Sequence, residues 1–178
     1  MAYSVSDHAK LAKSAYFDND RALTMAKEVD PDFELDPEYS ATHYKTYVNK
    51  KTNKVYSAFR GTDPKDNDDH EANTLHLIGA GAYSKRFKKG HQVVKGLVNK
   101  YTKDNVAVVG HSLGGNIASA VSKKHDIEAT TFSRGKGLTP NIVGKKEKAY
   151  RTYGDKLSDG GNLVIPKKLN IHSIDNFV

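Results

Sequence analysis

The stretch best equipped for chemistry is Gly110-His111-Ser112-Leu113-Gly114-Gly115. It fits the pattern G-x-S-x-G, and its surroundings are those the pattern requires. The continuous apolar run Val106-Ala107-Val108-Val109 precedes it, and a segment with helical character, about Gly114 to Lys124, follows. A serine on so sharp a strand-to-helix turn has its hydroxyl pushed out of the sheet. Gly110 and Gly114 remove side chains that would collide with the neighbouring strand and helix. The Leu113 N–H is left at a helix N-terminus, where it can stabilise an oxyanion. No lysine follows in the arrangement of a phosphate-binding loop.

A serine nucleophile needs a base, and the base needs an orienting acid, in the chain order Ser…Asp/Glu…His. Of the eight histidines, only His172 lies beyond every plausible acid. His111 is adjacent to Ser112 but points away from its face, and His125 lies about three helical turns on. The acids available are Asp126, Glu128, Glu147, Asp155 and Asp159. Asp155 is favoured because it leaves the end of a strand, Tyr150-Arg151-Thr152-Tyr153. Asp159, in a glycine-rich turn, is the alternative. A second oxyanion donor is expected at Thr62, after the strand end Phe59-Arg60-Gly61. Each such donor is worth about 3 kcal/mol in the transition state.

These residues must be positioned by the rest of the chain. Helical spacing predicts a helix from Ser6 to Phe17 with Ser6 as N-cap, and a second from Arg21 to Val29. Asp30 to Pro37, acidic and holding two prolines, reads as a loop. Alternating runs at His43–Val48 and Val55–Phe59, joined by a polar turn, predict a hairpin. Ser84 to Tyr101 reads as a helix with lysines on one face. Further strands are expected at 106–109, 129–132, 149–153 and 163–165. A hairpin followed by alternating strands and helices predicts an α/β fold with a mixed central β-sheet flanked by helices, and residues 1–178 are expected to form a single domain.

The 178 residues carry 28 Lys+Arg against 21 Asp+Glu, with no Cys and no Trp. The absence of cysteine excludes disulfides, zinc-thiolate sites and thiol nucleophiles. The first forty residues have a net charge of −5 and the remainder +12. Such a field suits an anionic membrane surface, through Lys85-Arg86-Phe87-Lys88-Lys89 and other lysine pairs, or simply keeps the protein soluble. Nucleic-acid binding lacks support, because no recognition motif is present and arginines are few. The acidic stretch Asp63–Glu71 lacks the central glycine of a calcium loop and reads as solvated. No signal peptide and no apolar run of spanning length is visible, which predicts a cytoplasmic or virion-associated protein.

Taken together, Val55-Tyr56-Ser57-Ala58-Phe59-Arg60-Gly61-Thr62, the GHSLGG of 110–115, Tyr153-Gly154-Asp155 and a C-terminal His172 resemble the class 3 (fungal-type) lipases of the α/β-hydrolase fold. The likeness spans roughly residues 9–175. It is similar, more loosely, to short, basic, cysteine-free members from large DNA viruses. The resemblance implies hydrolysis of acylglycerol or phospholipid esters through an acyl-enzyme, with no metal or other cofactor. It assigns Ser112, Asp155 and His172 to the triad and Thr62 and Leu113 to the oxyanion hole. It also places a lid at residues 63–82, with Leu75, Leu77 and Ile78 on its apolar face. Where the family carries a P-R-V-G-like segment, this chain has Ser133-Arg134-Gly135-Lys136-Gly137-Leu138. The competing reading is a non-catalytic scaffold of the same fold, serving as a binding protein or as a structural one such as a virion component.

Overall fold

The computed structural model describes residues 3–62, 80–135, 142–155, 158–160, 163–165 and 172–178. In chain order the elements are α1 (Val5–Ser14), α2 (Asn19–Val29), β1 (Phe33–Leu35), β2 (Tyr44–Asn49), β3 (Val55–Phe59) and α3 (Ala80–Tyr101). Then come β4 (Val106–His111), α4 (Leu113–His125), β5 (Glu128–Phe132), β6 (Arg134–Gly135), β7 (Glu147–Thr152), β8 (Ser158–Gly160) and β9 (Leu163–Ile165). Of the lid expected at 63–82, residues 63–79 lie outside the described residues and 80–82 begin α3. Residues 136–138 of the segment after β5 also lie outside them.

A seven-stranded mixed sheet runs in the order β1-β2-β3-β4-β5-β7-β9. β1, β2 and β3 are antiparallel neighbours, and from β3 onward every pairing is parallel. β4 is therefore central and covered on both faces, which is why it reads as an unbroken apolar run. Its residues alternate between two cores. Val106 and Val108 face a cluster with Val55, Phe59, Val94 and Leu97, together with Leu113 and Ile117. Ala107 and Val109 face one with Leu11, Ala12, Tyr47, Tyr56 and Phe132. Helices α3 and α4 thus pack on one face, and α1 and α2 on the other.

Some boundaries differ from those the sequence predicts. Ser4, rather than Ser6, caps α1. Its hydroxyl accepts the Asp7 N–H at 3.1 Å, and the Asp7 carboxylate accepts the Ser4 N–H at 2.9 Å. This reciprocal box outweighs the single hydroxyl of Ser6. The predicted loop at 30–37 contains β1, because Phe33 is fully buried and pairs with Asn49 of β2. Packing overrides the local turn signals there. The segment after β5 forms a two-stranded ladder, β6 with β8.

That segment also holds a buried ion pair. Arg134 Nη1 lies 3.4 Å from Glu147 Oε1, and both side chains are almost wholly excluded from solvent. Glu147 also accepts from the Ser119 and Thr131 hydroxyls at 2.9 and 2.8 Å and from the Gly144 N–H. Glu147→Gln leaves the Arg134 charge uncompensated, which costs about 3–5 kcal/mol. Thermal unfolding should then begin roughly 10 °C lower. Replacing both residues by apolar ones should recover much of that loss in the same calorimetric scan.

Candidate active site

Ser112 sits between β4 and α4 with φ 54 and ψ −125, in the left-handed half of the map where non-glycine residues are strained. The strain is held by close packing on both sides. A Cβ on Gly110 would overlap the Gly114 carbonyl, and one on Gly114 would overlap the Phe59 carbonyl of β3. The Ser112 N–H donates to Phe132 O at 3.0 Å, and its carbonyl accepts the Asn116 N–H at 3.1 Å. Its hydroxyl makes no capping bond and is available for chemistry. Leu113 is the first residue of α4, so its N–H has no acceptor within the helix.

The His172 Nε2 lies 3.1 Å from Ser112 Oγ, and its Nδ1 lies 2.8 Å from Asp155 Oδ2. The carboxylate can only accept from Nδ1–H, so Nε2 faces the serine as an acceptor. Asp155 is completely buried and His172 is partly exposed. Asp155 follows the end of β7, while Asp159 falls on β8. His172 is not on a frayed end. The turn after it, Ile174–Asn176, is anchored by buried Ile174 and Phe177, whose ring lies 4.9 Å from that of Phe132 at a tilt of 56°. Asp175 pairs with Lys13 of α1 at 2.5 Å.

Thr62 follows β3 as predicted. Its Oγ1 is buried and has no hydrogen-bond partner among the described residues. Gly61 brings its backbone against the Ser112 side chain, since a Cβ there would sit 3.2 Å from Ser112 Cβ. Arg86, from the second turn of α3, donates to the carbonyls of Arg60 and Gly61. In a trans peptide this directs the Thr62 N–H to the opposite side. Burial pulls the Arg86 guanidinium down to about 10, so it stays cationic at neutral pH beside the site where an oxyanion would form.

The sequence reading missed one connection. His111 makes no hydrogen bond to Ser112, but it is not idle. The His172 carbonyl can only accept, so His111 Nε2–H donates to it at 2.8 Å. The other ring nitrogen then accepts from the Tyr16 hydroxyl at 2.9 Å, and the Tyr16 oxygen accepts the Gly61 N–H at 3.1 Å. One chain of hydrogen bonds thus joins the segment after β3 to His172. A buried histidine inside the elbow motif was the only sequence signal for it. Asn116 makes a second brace, exchanging two bonds with Gly135 at 2.7 and 3.0 Å.

Burial holds the His111 imidazole neutral, pushed down to about 3, with the nearby His172 acting in the same direction. Burial also lowers His8, His91 and His125. A lowered folded-state value means that the unfolded chain binds more protons below about pH 6.5. Their contribution is therefore present above that pH and is lost as pH falls toward the folded values. The melting temperature should drop between pH 7 and 5, and less steeply in His111→Gln. Equal slopes for the two proteins would contradict this.

The sequence model of the Tle-like phospholipase domain matches residues 7–165. The chain belongs to the Tle-like phospholipase domain family. Membership makes it a carboxylic ester hydrolase acting on lipids. No curated protein matches. Among solved structures, this phospholipase-like domain is similar to the Lip2 lipase of Yarrowia lipolytica. The TM-score is 0.55 and the identity 16%, covering 96% of this chain and 80% of that one. It is also similar to the lipase of Rhizopus microsporus var. chinensis, with a TM-score of 0.53 and 18% identity over 85% and 69% of the two chains. A third is a triacylglycerol lipase described as having a serine protease triad at its catalytic centre (TM-score 0.54, identity 12%, coverage 83% and 69%). At these identities the likeness establishes the α/β fold shared with fungal lipases. Among the described residues no helix is long and apolar enough to cross a membrane.

Proposed function

We propose that this Tle-like domain hydrolyses the carboxylic esters of acylglycerols or phospholipids through a Ser112–His172–Asp155 triad and an acyl-enzyme. The observation that carries the reading is the continuous line Asp155 Oδ2, His172, Ser112 Oγ at 2.8 and 3.1 Å. Ser112 Oγ attacks the ester carbonyl as His172 Nε2 takes its proton. Asp155 keeps the imidazole in the required tautomer and stabilises its cation. The oxyanion meets Leu113 N–H and Thr62, whose unspent buried hydroxyl supports that role. His172 then protonates the departing alcohol and activates water for deacylation. The serine protease triad named for the similar triacylglycerol lipase supports the same assignment. A fluorophosphonate probe tests it. Labelling of the wild type that disappears in Ser112→Ala supports the enzyme, while a folded wild type that takes no label fits the scaffold reading instead.

We also infer that the domain meets an anionic membrane surface. α3 carries no acidic residue, and Lys85, Lys88 and Lys89 are exposed near its N-terminal end, where Arg86 binds the oxyanion strand. Each such lysine contributes about 1 kcal/mol near an anionic bilayer. Lys88→Glu with Lys89→Glu should reduce co-sedimentation with phosphatidylglycerol vesicles by about tenfold or more at low salt. Unchanged sedimentation would leave these lysines as solubilising groups.

A further inference from the structure

A cavity of about 570 Å³ opens beside the oxyanion strand, lined by Tyr16, Phe17, Asp18, Asp20, Lys45 and Arg60 among others. It lies on the same edge of the sheet as the elbow. β2 runs antiparallel to β3, so Lys45 at its start stands opposite Ala58 near the end of β3. Only β3 separates β2 from β4, which puts the two strands about 10 Å apart. Tyr16 is a shared wall, because its hydroxyl takes the Gly61 N–H next to Ser112.

Lys45 is unusual. Only 3% of it is exposed, yet its ammonium donates to a single carbonyl, Ala41 O at 2.9 Å. Among the described residues no carboxylate comes within ion-pair distance of it. Arg60, 8% exposed, stands on the same side, its guanidinium 5.9 Å over the Tyr16 ring. Burial pulls the Lys45 ammonium down, and Arg60 adds to that while Asp18 opposes it. Burying a cation without a carboxylate costs several kcal/mol, a cost that a ligand's anion can offset. An ammonium has three donors, so two remain for such a ligand. The facing wall carries Asp18 and Asp20, both exposed. Among the described lining residues the charges are separated, Lys45 and Arg60 toward the strands and Asp18 and Asp20 toward α2. That arrangement matches a phosphate linked to an ammonium better than a lone phosphate.

We propose that this pocket holds the zwitterionic headgroup of a glycerophospholipid whose ester lies at Ser112, its phosphate against Lys45 and Arg60 and its amine toward Asp18 and Asp20. The phosphate of such a lipid is a few bonds from its acyl ester, and Tyr16 links the pocket wall to the Gly61 backbone that lies against Ser112. The inference rests on the ester-hydrolase reading and adds the substrate's head to it.

The test compares phosphatidylethanolamine with diacylglycerol of the same acyl chains in mixed micelles. In Lys45→Met the ratio of the two kcat/KM values should fall by about tenfold, carried mainly by KM for the phospholipid. Lys45→Gln provides a second reading if the methionine variant does not fold. On the wild type, glycerophosphoethanolamine should inhibit cleavage of a soluble nitrophenyl ester more strongly than inorganic phosphate does. Inhibition by inorganic phosphate that equals it would overturn the headgroup and leave a simple phosphate site. A wild type that cleaves both lipids, with a ratio unchanged in either variant, would overturn the pocket while leaving the ester-hydrolase reading intact. A wild type that cleaves no ester and takes no fluorophosphonate would remove both.

Discussion

Ser112→Ala should eliminate fluorophosphonate labelling and lower kcat for a nitrophenyl ester by about 10⁴-fold or more. The expectation follows from the position of Ser112 Oγ, 3.1 Å from the imidazole that would take its proton. The variant should fold, because the strained turn is held by backbone bonds from Ser112 N–H and carbonyl rather than by its hydroxyl. Losing the hydroxyl leaves the oxyanion donors in place, so a residual rate above that in water should survive. His172→Ala should cost about as much, and the double variant little more than either alone, because the two act as one unit. Additive losses would mean that Ser112 and His172 do not share a step.

The second large effect belongs to the acid. Asp155→Asn should lower kcat by about 10³- to 10⁴-fold, while Asp159→Asn should change it little. An asparagine side chain can donate where the carboxylate only accepted. It therefore favours the wrong imidazole tautomer, with Nε2 carrying the proton that must come from Ser112. Because Asp155 is buried, its charge is not screened by water, which makes it effective in stabilising the imidazolium. Parallel kcat measurements on the two variants separate them. If Asp159→Asn is the slower enzyme, the acid assignment moves to β8, and if neither slows turnover, the triad assignment fails.

Much of the fold was legible from local pattern. The apolar run at 106–109 is the central strand, the 113–125 helix follows it, and the 44–49 and 55–59 hairpin lies beside it. β1 was not legible, because Phe33 is held in a strand by pairing with Asn49 and by burial, against its acidic and proline-flanked neighbourhood. Nor was β6. Its Arg134 is one of the most buried side chains, paired with Glu147 of β7 across the sequence.

The sequence by itself determined the chemistry on offer. The glycines around Ser112 and the absence of cysteine point to an oxygen nucleophile on a strand-to-helix turn, and chain order points to His172. These are local or ordinal properties, written into neighbouring residues. Only the tertiary structure set a carboxylate, that of the Asp155 the sequence favoured, 2.8 Å from that histidine. Only it joined Tyr16, His111 and the His172 carbonyl, through bonds between residues 95 and 61 positions apart. It also set Lys45 and Arg60 in one pocket that shares Tyr16 with this chain of hydrogen bonds. Such contacts depend on sheet order and on the packing of α1 across the strand ends, and no periodicity in the sequence encodes either.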